Sequence, residues 1–230
     1  MIKAKDVLLK ESQNSNEIQQ LYAMQVSQLY KHIPVGVVAT FVNSLILMFI
    51  LWEVVSHSTL IIWFSALTTI SVFRLLFLKF ERSAQTFAVV NRWGKWCIIG
   101  IVFAGIAWGS AGIFLFPIDS LAHQVFIAFV LGGMVAGAVG TYSVMIRAFL
   151  AFSLPALIPI IIRFLFIGQG INFAIGGMTL LFELLMISTA RRVNAAIVSS
   201  LKLQFKNRNL VEDLKTEKNS IEKLNLEYEA

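Results

Sequence analysis

The sequence predicts an all-α integral membrane bundle of six transmembrane helices with a C-terminal cytoplasmic coiled-coil helix. Three observations carry that prediction. The chain is 57% hydrophobic and only 14% charged, with a mean hydropathy of +0.76, whereas a soluble domain is about 45–50% apolar and about 25% charged. Its apolar residues gather into six stretches, each close to the roughly 20 helical residues that cross a hydrocarbon core about 30 Å thick. The loops between them alternate between those with Lys or Arg and those without, which is a topology signal.

The elements follow in order. Residues 1–31 are polar, but Ile18, Leu21, Tyr22, Val26 and Leu29 recur at spacings of three or four. That periodicity predicts an amphipathic helix leading into the bilayer, lying on the interface or packing on a partner. No apolar core of a signal peptide and no small-residue cleavage site occurs there, so no signal peptide is expected. The spans are Ile33–Trp52, Thr59–Leu78, Cys97–Phe116, Val125–Ile146, Ala148–Ile167 and Phe173–Thr189. The domain division expected is a cytoplasmic N-terminal segment 1–31, a six-span domain 32–189 and a cytoplasmic helix 190–230.

Loop charges orient the bundle. The segments EVVSHS, PIDSLAH and GQGIN after spans 1, 3 and 5 hold no Lys or Arg. The loop after span 2 carries Lys79, Arg82, Arg92 and Lys95, Arg147 follows span 4, and the tail opens with Arg191 and Arg192. The positive-inside rule therefore places both termini in the cytoplasm of a multi-pass membrane protein. Trp52 and Trp63 are expected at the outer interface, and Trp93 and Trp96 at the inner one, as an aromatic belt.

Charges inside apolar spans are the first candidates for chemistry, since each costs roughly 2.5–3.5 kcal/mol at mid-bilayer. Glu183 sits ten residues into span 6, about 15 Å deep at about 1.5 Å per residue. It is expected to face the bundle interior, protonated or paired with an Arg or a hydroxyl. Arg74 and Arg163 lie nearer the interfaces and could snorkel. The three are candidates for intramembrane sensing or pairing. On the outer face Glu53, His57, Asp119 and His123 form a candidate polar cluster for a ligand or proton, or are solvated loop residues. No HxxxH or HxH pair occurs among them.

Span 4 holds LGGMVAGAVG, where Gly132, Gly133, Gly137 and Gly140 form small-residue rows suited to close helix packing. Pro155 and Pro159 stand four apart in span 5 and are expected to bend it. The single cysteine, Cys97, excludes an internal disulfide and any CxxC motif. No phosphate-binding glycine loop, GxSxG or HExxH motif occurs, so no cofactor or metal is expected. The tail's positives alternate with Glu212, Asp213, Glu217 and Glu222, which argues against nucleic-acid binding.

The tail has its own pattern. Leu203, Leu210, Glu217 and Leu224 form one seven-spaced row, and Asn207, Leu214, Ile221 and Tyr228 the other. Interleaved by three and four, they predict a heptad seam in which Glu217 is the break and Asn207 sets register and favours two strands. A homodimer through this helix is the expectation, with a solvated juxtamembrane helix as the alternative.

Three stretches carry a family resemblance: WGSAGIFLFPIDSLAHQVFIAFVLGGMVAGAVG at Trp108–Gly140, AFLAFSLPALIP at Ala148–Pro159 and LKLQFKNRNLVEDL at Leu201–Leu214. With them, the chain from about Leu21 to Leu214 resembles the N-terminal six-helix membrane sensor region of bacterial sensor histidine kinases and of diguanylate cyclase or phosphodiesterase (GGDEF/EAL) proteins. The resemblance implies a sensory input module in the bacterial inner membrane. Its partner would be a kinase or cyclase output domain, in cis or in trans. It carries over no ligand-binding residue. The chain ends at LNLEYEA without a phospho-accepting His motif, an ATP-binding lobe or a GGDEF or EAL signature, so it is expected to be non-enzymatic as given. A small transporter or channel with Glu183 and Arg163 along its path is the rival expectation, and a scaffold that holds a separate kinase or cyclase is a third.

Overall fold

A computed structural model describes residues 2–81, 87–167 and 170–229, with side chains placed at 18–76, 87–167, 170–222 and 225. Among the described residues the chain is all-α and holds no strand. Six of its helices are long and apolar enough to cross a membrane, beginning at Ile18, His57, Phe87, Leu121, Ile146 and Ile171. The fold is that of a multi-pass membrane protein. Of the basic residues behind the orientation, Arg82 and the side chain of Lys79 lie outside the described residues, as do the side chains of Lys3, Lys5 and Lys10. So do Gly168 and Gln169 of the GQGIN loop.

The helices are α1 (Ile2–Leu51), α2 (His57–Glu81), α3 (Phe87–Gly109), α4 (Ala111–Phe114), α5 (Leu121–Tyr142), α6 (Ile146–Ile167) and α7 (Ile171–Glu229). They divide into two compact units, Met1–Asn194 and Ala195–Ala230. The amphipathic segment and span 1 are one helix, α1, which runs through Pro34. The C-terminal part of the apolar stripe seen in the sequence is spent inside the chain's own bundle: Val26 and Leu29 are buried, with Tyr30 and Ile33 beside them, while Leu21 and Tyr22 are half-buried and Ile18 is exposed. The Tyr30 hydroxyl donates to the Trp93 carbonyl of α3 at 3.0 Å. The Gln25 amide donates to the Val144 carbonyl of the α5–α6 turn at 2.8 Å.

The tightest helix pair is α3 with α6, and glycine makes it possible. Gly105, Gly109 and Gly112 recur along one face of α3 and α4. A Cβ at Gly105 would stand 2.6 Å from the Phe152 carbonyl oxygen, and one at Gly112 would stand 2.8 Å from the Ile160 Cβ. A Cβ at Gly109 would collide with the Pro155 carbonyl oxygen. That oxygen has no helical donor of its own, because the residue four positions on is Pro159, which lacks an N–H. The prolines thus open an acceptor on α6, and the glycines let α3 lie against it at backbone distance, the range in which weak Cα–H···O contacts favour helix pairs. The helix continues unbroken through both prolines.

The glycines singled out on α5 are not packed in this way. A Cβ at Gly133, Gly137 or Gly140 would meet nothing within 4 Å, and one at Gly132 would touch only the Phe182 ring, at 3.6 Å. Gly133 and Gly137 instead line a groove of about 150 Å³ beside α1. The sequence shows two glycine rows, and only the one on α3 and α4 is used for close approach.

The aromatic-belt expectation also needs a correction. Trp63 is buried, donates its indole N–H to the Ala107 carbonyl at 2.9 Å and stacks edge-on against Trp108 at 5.5 Å. It is a core residue. Trp96 is half exposed, as an interfacial residue would be.

This packing predicts a contrast. Gly109→Ala should lower thermal stability in detergent by about 1–3 kcal/mol, the usual effect of overpacking. Gly137→Ala, on the same kind of motif, should leave the unfolding midpoint unchanged or slightly raised. Equal effects of the two substitutions would show that the α3–α6 contact is not the tight one.

Candidate functional site

The intramembrane charges are separated from one another. Arg74, on α2, is buried, and its Nη2 donates to the Tyr142 hydroxyl of α5 at 2.7 Å, with the guanidinium carbon 5.7 Å from the same ring. Arg163, on α6, donates from Nη1 to the Ile113 carbonyl at 3.2 Å and lies 4.9 Å over the Phe116 ring. Glu183, on α7, is 3% exposed and neither carboxylate oxygen has a hydrogen-bond partner. Ser153 of α6 is its polar neighbour, close enough to act on the carboxyl, but the Ser153 hydroxyl completes no hydrogen bond either. The pairing of Glu183 with Arg74 or Arg163 is therefore not formed. Each Arg instead bonds a neutral oxygen on a neighbouring element.

The polar cluster at the charge-poor end is likewise not assembled. Glu53 and Asp119 are exposed. The His57 ring stacks on Trp52 at 4.2 Å, with its Nε2 3.1 Å from the Trp52 carbonyl, and His123 pairs with the Ser120 hydroxyl at 2.6 Å. These are local contacts that close loop turns. Among the described residues no group of three His, Cys, Asp or Glu could hold a metal ion.

What the structure does bring together is a set of attachments of α7 that composition alone would not reveal. Up to Asn194, α7 approaches its neighbours through side chains rather than at backbone distance. Gly176 receives Leu165 and Phe164, Phe182 reaches Gly132, and Ala190 is fully buried. Beside these contacts runs an apolar groove of about 520 Å³ between α5 and α7, walled by Val125, Phe129, Gly133, Ile175 and Met178. At the basic end the helix is clamped. The Asn194 amide donates to the carbonyls of both Ser143 and Val144 at 2.8 Å. The Val144 carbonyl also accepts the Gln25 amide of α1. One backbone oxygen in the α5–α6 turn thus ties the first helix to the last.

The second unit is a helix whose apolar row is uncovered. Leu203, Leu210, Leu214 and Ile221 are 53–62% exposed, and Asn207 on the same row is exposed. The side chains of Leu224 and Tyr228 lie outside the described residues.

The sequence signal for Glu183 was right about burial, while Arg74, read as free to snorkel to an interface, is instead buried against Tyr142. Asn194, Gln25 and Ser153 were missed. They are polar side chains without a motif; the α5–α6 turn engages Gln25 and Asn194, and Ser153 matters only because α6 sets it beside Glu183. Compared with known proteins, the chain matches no family model, no curated protein and no solved structure.

An acid buried without a partner is a liability to the fold. Replacing it by an apolar residue of similar shape is neutral or stabilising, whereas breaking a formed pair is strongly destabilising. Glu183→Met is expected to keep or raise thermal stability, by up to about 2 kcal/mol. Tyr142→Phe should lower it by about 1.5–3 kcal/mol, the usual worth of a hydrogen bond to a charged group. Thermal unfolding of the detergent-solubilised protein checks both, and a large loss in Glu183→Met would reveal a partner for the carboxyl.

Proposed function

We propose that this chain is the membrane input module of a signal-transduction receptor and is itself non-catalytic. In this reading a stimulus alters how α7 sits on α5 and α6. The last helix carries that change to a histidine kinase or cyclic-di-GMP output domain, in the same chain or in a partner, from a bacterial inner membrane with both termini in the cytoplasm. A homodimer forms through the helix of 195–230. One observation carries the reading: within the membrane unit α7 is held by side chains without close backbone approach, beside an open apolar groove, and it continues as a helix with a bare leucine row.

The physical logic is as follows. A helix that is packed at backbone distance along its length, as α6 is on α3, is costly to displace. A helix held by a clamp at one end and by scattered contacts elsewhere has neighbouring positions of similar free energy, which a modest differential affinity can redistribute. The bare row of Leu203, Leu210, Leu214 and Ile221 asks for cover, and two copies in parallel would provide it with Asn207 facing Asn207. Transport is the weaker reading, because Glu183 is not among the residues that line the cavity beside Arg163, so the two do not mark one path.

Two experiments test the proposal. A cysteine introduced by Leu210→Cys should form an interchain disulfide in membranes, whereas one introduced by Arg208→Cys should not; equal crosslinking at both positions would remove the seam. One to four residues inserted after Ala195, in a fusion to a diguanylate cyclase reporter domain, should modulate output with helical phase. Each residue turns the helix about 100°, so insertions of one and two should perturb most, and four should restore most. Output indifferent to phase would refute transmission through the helix.

A further inference from the structure

At the end of the bundle whose loops lack Lys and Arg, a cavity of about 720 Å³ opens between α4, α5, α6 and the start of α7. That volume is within the range of small-molecule sites. Its walls are apolar, with Ile113 from α4 and Ile158, Ile162 and Phe166 from α6. Three polar side chains also line it, and each has unmet hydrogen-bonding capacity. Among the described residues Arg163 has no carboxylate partner: it donates to one carbonyl and rests on the Phe116 ring, which leaves most of its five donors uncommitted. Gln124, 3% exposed, uses its amide nitrogen on the Pro117 and Ile118 carbonyls, and its oxygen is buried without a partner. Asn172, in the first turn of α7, likewise keeps a buried amide oxygen with none.

Buried polar groups are normally satisfied, so unpartnered ones that share a cavity define what is missing from it. A guanidinium asks for an anion, ideally a carboxylate or phosphate that takes two N–H bonds. Two amide oxygens ask for hydrogen-bond donors. The apolar walls ask for a hydrocarbon chain.

We infer that this cavity binds an acyl-chain amphiphile whose head combines an anion with an adjacent hydroxyl. The anion bonds Arg163, the hydroxyl meets the amide oxygens of Gln124 and Asn172, which turn out of their buried positions to reach it, and the chain lies along Ile158, Ile162 and Phe166. Two sources offer this chemistry: a free hydroxy fatty acid, and a bilayer lipid such as phosphatidylglycerol, whose head carries a phosphate and two hydroxyls. The site stands whether or not the chain is a receptor. If it is one, the occupant touches the first turn of α7, the helix proposed to carry the signal.

Equilibrium dialysis of labelled β-hydroxydecanoate against the full chain in nanodiscs tests the inference. In discs of phosphatidylcholine, binding should be saturable at one site per chain. Decanoate, which lacks the hydroxyl, and decanol, which lacks the anion, should each bind at least about tenfold more weakly, the usual effect of a lost charge-assisted or buried hydrogen bond. Arg163→Gln should reduce affinity about tenfold or more, and Arg163→Lys should recover part of it. Asn172→Ala gives a second test that leaves the Arg163 contacts in place, with an expected loss of several-fold. Discs of phosphatidylglycerol separate the sources. If they abolish β-hydroxydecanoate binding in the wild-type chain, the lipid head is the occupant; if they leave it intact, the free acid is, and either result supports the site. Uptake that does not saturate, decanol binding as tight as β-hydroxydecanoate, or affinity unchanged in both folded variants would overturn it. None of these readouts depends on an output domain, so failure here leaves the receptor reading to its own test.

Discussion

The contact on which the rest of the membrane unit depends is the close approach of α3 to α6. In a bilayer, apolar side chains gain little by leaving lipid for protein, so association rests on dispersion and on hydrogen bonds, both of which fall off steeply with distance. Glycines at 105, 109 and 112 remove the side chains that would hold the helices apart. Pro155 and Pro159 leave a carbonyl of α6 without a helical donor, and Gly109 faces it. Each half of this arrangement would be a weakness alone: glycine is a poor helix residue, and an unpartnered carbonyl is costly in hydrocarbon. Together they make one rigid pair on which the other helices are arranged.

Around that pair the polar groups divide the molecule into held and loosely held parts. Arg74 crosses from α2 to the Tyr142 hydroxyl on α5. The α5–α6 turn presents the Ser143 and Val144 carbonyls to Gln25 and Asn194, which joins α1 and α7 at the basic end. Away from that clamp α7 has a buried acid without a partner and an apolar groove at its side. Unmet hydrogen-bonding capacity is spread through the membrane unit, at Trp108 on α3, Gln124 on α5, Ser143 in the α5–α6 turn and Ser153 on α6, and α7 adds both Glu183 oxygens and, in its first turn, Asn172. Places where a fold leaves polar groups unsatisfied are where a ligand or a movement has something to gain.

How far the sequence could be read differed by feature. The six spans were legible because a hydrocarbon core imposes length and composition on any helix that crosses it. The burial of Glu183 was legible because a charge near mid-bilayer must face protein. Of the states open to it, pairing with an Arg or a hydroxyl is not formed, because depth along a helix says nothing of the direction in which a side chain points relative to another helix. Trp63 was read as interfacial from its place near a span end, but the fold turns it toward Trp108 and Ala107. The glycine row on α5 drew attention because it is denser, and the row on α3 is the one used.

The sequence by itself, though it did not mark where the helices begin and end, determined the fold class, the number of the spans and the heptad spacing of the tail. Each of these follows from a one-dimensional rule: hydropathy against bilayer thickness, or a repeat of seven along a single helix. Only the tertiary structure decided which glycines touch, which oxygens Arg74 and Arg163 bond, and that Gln25, Asn194 and the α5–α6 turn meet. Those facts depend on the rotation of each helix about its axis and on which helices become neighbours. Both are set by the sum of many small packing energies across the bundle, and no single segment of the chain contains that sum.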